Sequence, residues 1–154
     1  MKICDTFSHL EANVCLISKG NIFSEIEEAL NCREMIFGRN RPNEIKSKIA
    51  EKFNSHGWAD NTRVGNSRLT INFTKSKIGI CVQLGNVART YADILKLSQL
   101  GNKKIIDVGI IAVPHEAESK LMGKNYARFE RLKSEVKYFE DIICVPIMVI
   151  GLSN

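Results

Sequence analysis

This sequence of 154 residues lacks several features, and each absence argues against a class of protein. No apolar run approaches the length of a membrane span, which argues against an integral helical membrane protein. The N-terminus lacks the basic and then apolar pattern of a secretory signal peptide. Repeats, low-complexity segments and long linkers are also absent, so we expect one domain over residues 1–154.

Paired cysteines are missing as well. The five cysteines are scattered, odd in number and without a Cys-x-x-Cys pair, so neither a zinc site nor a disulfide framework is expected. The expectation that follows is an intracellular, cytoplasmic protein with reduced thiols. The cysteines are Cys4, Cys15, Cys32, Cys81 and Cys144.

Common catalytic and nucleotide-binding motifs are not found. There is no P-loop and no glycine-rich dinucleotide fingerprint. His9, His56 and His115 are far apart in sequence and have no partner at metal-ligand spacing. Because no nucleophile motif is present either, nothing in the sequence supports a Ser/His/Asp or Cys/His triad.

What remains is the composition of an ordinary globular protein with a basic charge. Hydrophobic residues make up 44% of the chain and charged residues 25%, which is sufficient for a sizeable core. The formal net charge is +5 and the isoelectric point is near 9.0. This balance weakly favours a polyanion such as nucleic acid as partner, although many basic proteins bind none.

The most informative stretch, Leu69–Asn86, has the pattern of a β-hairpin. Alternating residues over Leu69–Phe73 and again over Lys77–Leu84 predict two strands, and Thr74–Ser76 predicts the turn between them. In the second strand the alternation separates an apolar core face from a face that carries a thiol and an amide two residues apart. The apolar face consists of Ile78, Ile80, Val82 and Leu84.

This hairpin resembles the active-site hairpin of the PD-(D/E)XK nucleases, and among them the restriction endonucleases of the BglII and BstYI type. Those enzymes carry an Asp late in one strand and a Glu-Val-Gln-Phe-x-Asn pattern on the next. Cys81–Asn86 matches the second pattern, with Cys81 at the Glu position and Gln83 at the Gln position. Asn72 stands at the position of the Asp. The resemblance therefore implies a catalytic site at Asn72, Cys81 and Gln83 in which both acids are replaced.

The similarity extends in order over most of the chain and implies the fold of that family. We therefore expect an α/β protein of the restriction-endonuclease-like fold, in which helices flank a central mixed β-sheet. The matching segments outside the hairpin are Met1–Ile3 with Ser8–His9, Ser24–Leu30, Gly57–Trp58, Ile106–Gly109 and Val145–Leu152.

Phosphodiester hydrolysis explains why the family needs acids in the hairpin. A hard divalent cation polarises the phosphoryl oxygen and generates hydroxide, and Mg²⁺, the cofactor expected for the family, prefers carboxylate oxygens. Asn72 keeps an oxygen without the charge, and Cys81 offers sulfur, a poor ligand for Mg²⁺. Weak or no metal binding is therefore expected at these two positions. The alternative for Cys81 is that it only packs in the core.

Other candidate site residues follow from the resemblance and from charge. The family register, anchored on Trp58, implies that Asn61 supports the active site. The resemblance also implies that Asn86, just past the catalytic strand, reaches base edges in the major groove. Basic residues in two segments, Arg33–Arg41 and Arg63–Arg68, are candidates for DNA phosphate contacts. The arginines concerned are Arg33, Arg39, Arg41, Arg63 and Arg68.

Apolar spacing predicts two helices before the hairpin. One runs over Ile22–Cys32, and the other starts at Pro42 and is closed by Gly57. Glu25 and Glu28 on the first helix either lend an acid to the site or, in the simpler interpretation, face solvent. The inward residues are Ile22, Ile26, Ala29 and Leu30 in the first helix and Ile45, Ile49 and Phe53 in the second.

After the hairpin, the pattern predicts a helix to Leu100, a buried strand within Lys104–Val113, and a charged segment, Glu116–Lys124, that leads into a helix running to Phe139. A last strand covers Ile142–Ile150, and Pro146 makes it an edge or bulged strand. The helix that ends at Leu100 begins at Val87 or Ala88. The inward residues are Ile94, Leu95 and Leu97 in that helix and Phe129, Leu132 and Val136 in the helix that ends at Phe139.

Three functions are compatible with these observations. The first is a type II restriction endonuclease, a homodimer that cuts double-stranded DNA; the resemblance implies a palindromic site with a GATC centre and pairing of subunits through the helix Ala88–Leu100. The second is a catalytically inactive DNA-binding protein or subunit on the same fold. The third is a protein-interaction subunit that does not bind DNA. The replaced acids predict slow or absent cleavage by this chain.

Overall fold

Six strands and six helices follow one another along the chain, and the computed structural model describes all residues from 1 to 154. The strands are β1 (Lys2–His9), β2 (Ala59–Arg63), β3 (Thr70–Lys75), β4 (Ile78–Val82), β5 (Val108–Pro114) and β6 (Ile147–Ser153). The helices are α1 (Ala12–Ile17), α2 (Ile22–Leu30), α3 (Pro42–Ser55), α4 (Ala88–Asn102), α5 (Glu116–Met122) and α6 (Phe129–Tyr138). None of these helices is long and apolar enough to cross a membrane.

All six strands belong to one mixed sheet with the order β1-β6-β5-β4-β3-β2. The central strands β4, β5 and β6 are parallel, whereas β1, β3 and β2 pair antiparallel with their neighbours. The parallel strands are buried almost throughout, because helices cover both faces of the sheet. The predicted α/β architecture, a mixed sheet flanked by helices, is confirmed.

Two apolar clusters fill the two sides of this sheet. Helices α1, α2 and α3 pack on one face, and α4 and α6 pack on the other. α3 begins at Pro42 as predicted, and Gly57 follows its end with a φ of 74° that suits glycine. The inward residues predicted for the first two helices are all buried, and they are Ile22, Ile26, Ala29, Leu30, Ile45, Ile49 and Phe53.

The hairpin β3–β4 is present, but its turn lies later than the sequence pattern predicts. Thr74 and Lys75 are still in the strand, and Lys75 pairs with Ile78. The two-residue loop is Ser76–Lys77, with φ angles of 49° and 61°. Positive φ at both positions is the geometry of a type I′ turn, which matches the twist of the flanking strands. Neither residue is typical of that turn, so no local pattern indicated its position.

Strand β4 is buried on both faces rather than on one. The predicted apolar face is confirmed, since Ile78, Ile80, Val82 and Leu84 all lie in the cluster under α1, α2 and α3. The opposite face is covered by α4, which leaves Cys81 fully buried and Gln83 only 6% exposed. The polar face predicted for this strand is therefore an interior surface.

Two elements were not predicted from the sequence. β2 is a polar edge strand of the composition Ala-Asp-Asn-Thr-Arg, with no apolar alternation to indicate it. α1 has only six residues and follows Leu10 and Glu11, both of which have positive φ angles. Short or polar elements of this kind are held by their neighbours, so their own sequence carries little periodic signal.

Three predictions in the second half of the chain are wrong in detail. In α4, Leu95 is 67% exposed rather than inward, although Ile94 and Leu97 are buried. The helix expected up to Phe139 is α6, but the charged segment expected only to lead into it forms a helix of its own, α5, which ends before Gly123 where φ is 140°. The last strand is not an edge, because β6 lies between β1 and β5 and starts one residue after Pro146.

Candidate active site

Three neighbouring strands bring the candidate residues Asn61, Asn72 and Cys81 side by side. Asn61 is not itself paired and has a φ of 48°, but it lies between Asp60 and Thr62, whose partners on β3 flank Asn72, so it falls across from Asn72. The register of the β3–β4 ladder, continued by one pair, places Asn72 opposite Cys81. This row lies at the edge of the sheet where the parallel strands have their carboxyl ends, an edge at which functional side chains often converge.

The side chain of Asn72 links β3 to β4. Its Oδ1 accepts a hydrogen bond of 2.8 Å from the backbone N–H of Val82. Because only an oxygen can accept from that N–H, the orientation of the amide is fixed and its Nδ2 is left as the free group. The strand also changes face at Asn72, because Ile71 packs in the cluster under α4 whereas Phe73 packs in the cluster under α3.

Cys81 has no charge to offer a ligand. Its side chain is fully buried in the cluster under α4. Burial raises the pKa of the Cys81 thiol strongly, and the nearby carboxylate of Asp93 raises it further. The thiol is therefore neutral at physiological pH and packs as a small apolar side chain.

Gln83 is tied to a buried acid that the sequence analysis missed. Its Nε2 donates a 2.8 Å hydrogen bond to Oδ2 of Asp93, whose residue is only 4% exposed. The Nζ of Lys96 lies 2.6 Å from Oδ1 of the same carboxylate and also donates to the backbone carbonyl of Thr70. Gln83 Oε1 is buried without a partner. The sequence contains one signal for this acid. Asp93 lies on the same helical stripe as Leu97, where an apolar residue is expected, so a charged residue at this position indicates a buried polar contact.

These residues do not fit a tightly bound Mg²⁺. Asn72 Oδ1 is occupied by a backbone N–H, and the Cys81 thiol is neutral and soft. Of the two carboxylates nearby, Asp93 is already neutralised by Lys96, and Asp60 is a single exposed group on the wall of a neighbouring cavity. Neutral oxygens such as Gln83 Oε1 do not replace the pair of converging carboxylates that a hard divalent cation prefers.

A cavity of about 220 Å³ opens beside Asn72. Its walls come from β2, β3 and α3, and its lining residues are Lys46, Ser47, Ala50, Asp60, Asn61, Asn72 and Phe73. Two of the predicted site residues, Asn61 and Asn72, therefore face one space, whereas Cys81 and Gln83 lie behind it in the interior. Lys46 was not among the predicted site residues, so its place in the cavity is new.

Asn86 lies at the start of α4, exposed at the same edge of the sheet. Its Oδ1 accepts a 2.8 Å hydrogen bond from the N–H of Ala88, which satisfies one of the free donors of the helix terminus. Its backbone pairs with Tyr126. The side chain is thus held in place while its Nδ2 and a second lone pair on Oδ1 remain available.

The five candidate arginines are all exposed, and none forms an ion pair. Arg39 and Arg41 line a groove with Tyr126, the residue that pairs with Asn86. Arg63 is the last residue of β2 and Arg68 lies in the following loop, at the same sheet edge. Arg33 lines a separate cavity with Asn31 and Asn154 at its walls. Four of the five arginines therefore share the edge with Asn72 and Asn86.

The acids of α2 do not enter this site. Glu25 binds Lys75 at 2.8 Å and accepts a hydrogen bond from the indole N–H of Trp58. The hydrogen bond from Lys75 is the main cause that lowers the pKa of Glu25. Glu28 lies 3.4 Å from His56. Glu28 faces solvent, so the simpler interpretation is correct for this residue. Glu25 instead links α2 to the hairpin through its ion pair with Lys75.

The three histidines all contact other groups of the protein, and one of them lies in a cluster with two acids. His9 is buried, and its Nε2 lies 2.9 Å from the carbonyl of Ile143. His115 lies with Asp5 and Glu130 so that one ligand atom from each falls within 4.8 Å of the others. These three residues come from distant parts of the chain, so sequence spacing could not indicate the group. Both acids are exposed, and such groups commonly hold no metal.

Comparison with known proteins shows both a family and a fold. The profile of the family described as restriction endonuclease BglII/BglIII matches residues 4–152. The structure of BglII in complex with a DNA 16-mer superposes with a TM-score of 0.81 at 17% identity, covering 100% of this chain and 77% of that one. Free BglII gives 0.75 at 22% identity, with 100% and 80% covered. No curated protein matches. The predicted restriction-endonuclease-like fold is confirmed.

Proposed function

Because this chain belongs to the BglII/BglIII family of restriction endonucleases, we propose that it binds double-stranded DNA along the sheet edge that carries Asn72 and Asn86. Members of this family are type II enzymes that generally use a divalent metal. The proposal is supported by the solved complex of BglII with DNA and by four exposed arginines at this edge that have no acidic partner. The working unit is a single domain over residues 1–154 that acts on DNA in the cytoplasm.

The hydrolytic activity of this chain is slow or absent. The observation that supports this conclusion is the donor set, since an engaged amide and a neutral thiol stand where the resemblance implies the two family acids. The ion is the largest charge in a metal site, and two neutral ligands remove most of its attraction. The experiment is plasmid cleavage with Mg²⁺ or Mn²⁺. Little or no cutting is expected, and strong cutting that survives Asn72→Ala and Cys81→Ala would place the active site elsewhere.

The unchanged protein should shift duplex DNA in a gel at low salt, and the affinity should fall steeply as salt increases because arginine–phosphate contacts release counterions. Asn86→Asp keeps the acceptor for Ala88 N–H but loses the amide donor that adenine N7 needs. We expect this variant to lose about 1–3 kcal/mol of discrimination between GATC-centred and scrambled duplexes. Titration of both duplexes measures the difference.

The control for this experiment is Asn54→Asp on the exposed surface of α3, which makes the same change in charge away from the proposed DNA edge. It should leave the ratio of the two affinities unchanged. If the unchanged protein binds neither duplex at low salt, DNA binding is ruled out for this chain and the alternative of a protein-interaction subunit is favoured.

A homodimer is the second part of the proposal, since two copies related by a two-fold axis recognise a palindrome most simply. α4 supports this assignment with an exposed apolar patch that continues onto the segment after α6. Leu95 is 67% exposed and Ile142 is 71% exposed. The patch consists of Tyr91, Ile94, Leu95, Phe139, Ile142 and Ile143.

Leu95→Glu should convert the dimer to a monomer, because it buries an unpaired carboxylate in the middle of the patch. Ile17→Glu is the matched control, since Ile17 is an exposed apolar residue, 74%, on α1, which packs on the opposite face of the sheet. Sedimentation with and without DNA measures the mass. A monomer in both conditions for the unchanged protein would contradict the homodimer.

A further inference from the structure

The cavity beside Asn72 contains a cation that has no partner. Lys46 lines this cavity and forms no ion pair or hydrogen bond within normal distances. The other two lysines of the helix behave differently. Lys48 pairs with Glu51 at 2.8 Å, and Lys52 donates to two backbone carbonyls of α2 and the loop that follows it. Lys46 is therefore the only lysine of α3 whose ammonium group is left for an outside ligand.

The charge around this lysine favours an anion. Burial is the main cause that lowers the pKa of Lys46; Asp93 opposes this effect, and Arg89 and Lys96 lower the pKa further. Asp60 is the one carboxylate on the cavity wall, and it lies outside ion-pair distance of Lys46. A half-buried ammonium without a counterion is destabilised by lost hydration, and an anion that enters the cavity would restore its charge partner.

The amides of the cavity present donors as well. Because Asn72 Oδ1 is fixed by Val82 N–H, the Nδ2 of this residue is the group left to face the cavity. A carboxylate at this position has only acceptors, which suits a cation, whereas an amide held in this way supplies N–H groups, which suit phosphate oxygens. The ammonium group of Lys46 and the amide N–H groups of Asn72 therefore suit the same kind of ligand, an anion with phosphate oxygens.

We propose that Lys46 and Asn72 bind a phosphate of the DNA backbone directly, so that this protein binds duplex DNA without a divalent cation. The inference rests on the proposed DNA binding and goes beyond it, because it names the residues that substitute for a metal as the phosphate contact. In this arrangement Lys46 and Asn72 form a phosphate-binding site that needs no cation, and the cavity is not an empty metal site.

The test compares DNA binding in EDTA and in Mg²⁺ for the unchanged protein and three variants. The unchanged protein should bind in EDTA within about twofold of its affinity in Mg²⁺. Lys46→Met keeps the apolar stem but removes the charge, and it should weaken binding roughly tenfold and reduce the salt dependence by about one phosphate contact per subunit. Lys46→Arg should retain most of the affinity. Lys48→Met loses the same charge on the same helix and should change affinity by less than about twofold.

The outcomes separate this inference from the function on which it rests. Binding of the unchanged protein that requires Mg²⁺, or equal affinities for Lys46→Met and Lys48→Met, would overturn the role of Lys46 while DNA binding stands. Failure of the unchanged protein to bind duplex DNA in either buffer would remove both. Asn72→Asp provides an independent check, because a carboxylate facing the cavity should weaken binding in EDTA by repelling the phosphate.

Discussion

Asn72→Asp combined with Cys81→Glu should give this chain DNA cleavage that depends on a divalent metal. The two changes restore a carboxylate on β3 and another directly opposite it on β4. A pair of converging carboxylates is the ligand set that Mg²⁺ prefers, and the bound ion then activates water for attack on the phosphodiester. Plasmid cleavage with Mg²⁺ or Mn²⁺, compared with the unchanged protein, measures the gain.

The structure indicates how each change is accommodated. Asp at position 72 keeps an oxygen for the N–H of Val82, so the join between β3 and β4 is preserved. Glu in place of Cys81 enters a fully buried position close to Asp93, where like charges repel one another in the absence of metal. The double variant should therefore melt at a lower temperature than the unchanged protein in EDTA and regain stability when Mg²⁺ or Mn²⁺ is added.

The single variants are the controls for this experiment. Each should cut at least about tenfold more slowly than the double variant, because the two ligands act as a unit. Gln83 is left unchanged, since the resembling enzymes have Gln at that position. A double variant that is folded, binds DNA and still does not cut would mean that the scaffold has lost more than its two metal ligands.

The fold was predictable from the sequence where apolar periodicity is strong. The buried face of β4, with Ile78 and Ile80, and the inward stripe of α2, with Ile26 and Leu30, both follow from spacing alone. β2 was missed because four of its five residues are polar and its partner β3 supplies the pairing. Pro146 suggested an edge strand, but it precedes β6 and accepts a hydrogen bond from Gly109 at the strand's start. A proline just outside a strand leaves the ladder intact.

The candidate site was predictable only as far as its residues lie in one hairpin. Asn72 and Cys81 are brought together by local pairing, which the hairpin pattern anticipates. Asp93 and Lys46 approach them from α4 and α3, and their positions depend on how those helices pack on the sheet. A polar residue on an otherwise apolar helical stripe, as at Asp93, is the one sequence signal that could have indicated the buried network.

Asp93→Ala should destabilise the protein by about 3–5 kcal/mol, because it leaves the ammonium group of Lys96 without its partner in a largely buried position. The amide of Gln83 would lose its only acceptor at the same time, and an unsatisfied buried donor adds to the destabilisation. Urea unfolding followed by circular dichroism measures the change in the free energy of unfolding.

A second variant separates the ion pair from the space that it fills. Asp93→Leu combined with Lys96→Met replaces both charges with apolar side chains of similar volume, and such replacements of buried pairs are often neutral or stabilising. We expect this double variant to recover most of the stability lost in Asp93→Ala, although the bond to Gln83 remains absent. If the double variant is as unstable as Asp93→Ala, the hydrogen bond from Gln83, rather than the unpaired charge of Lys96, accounts for the loss.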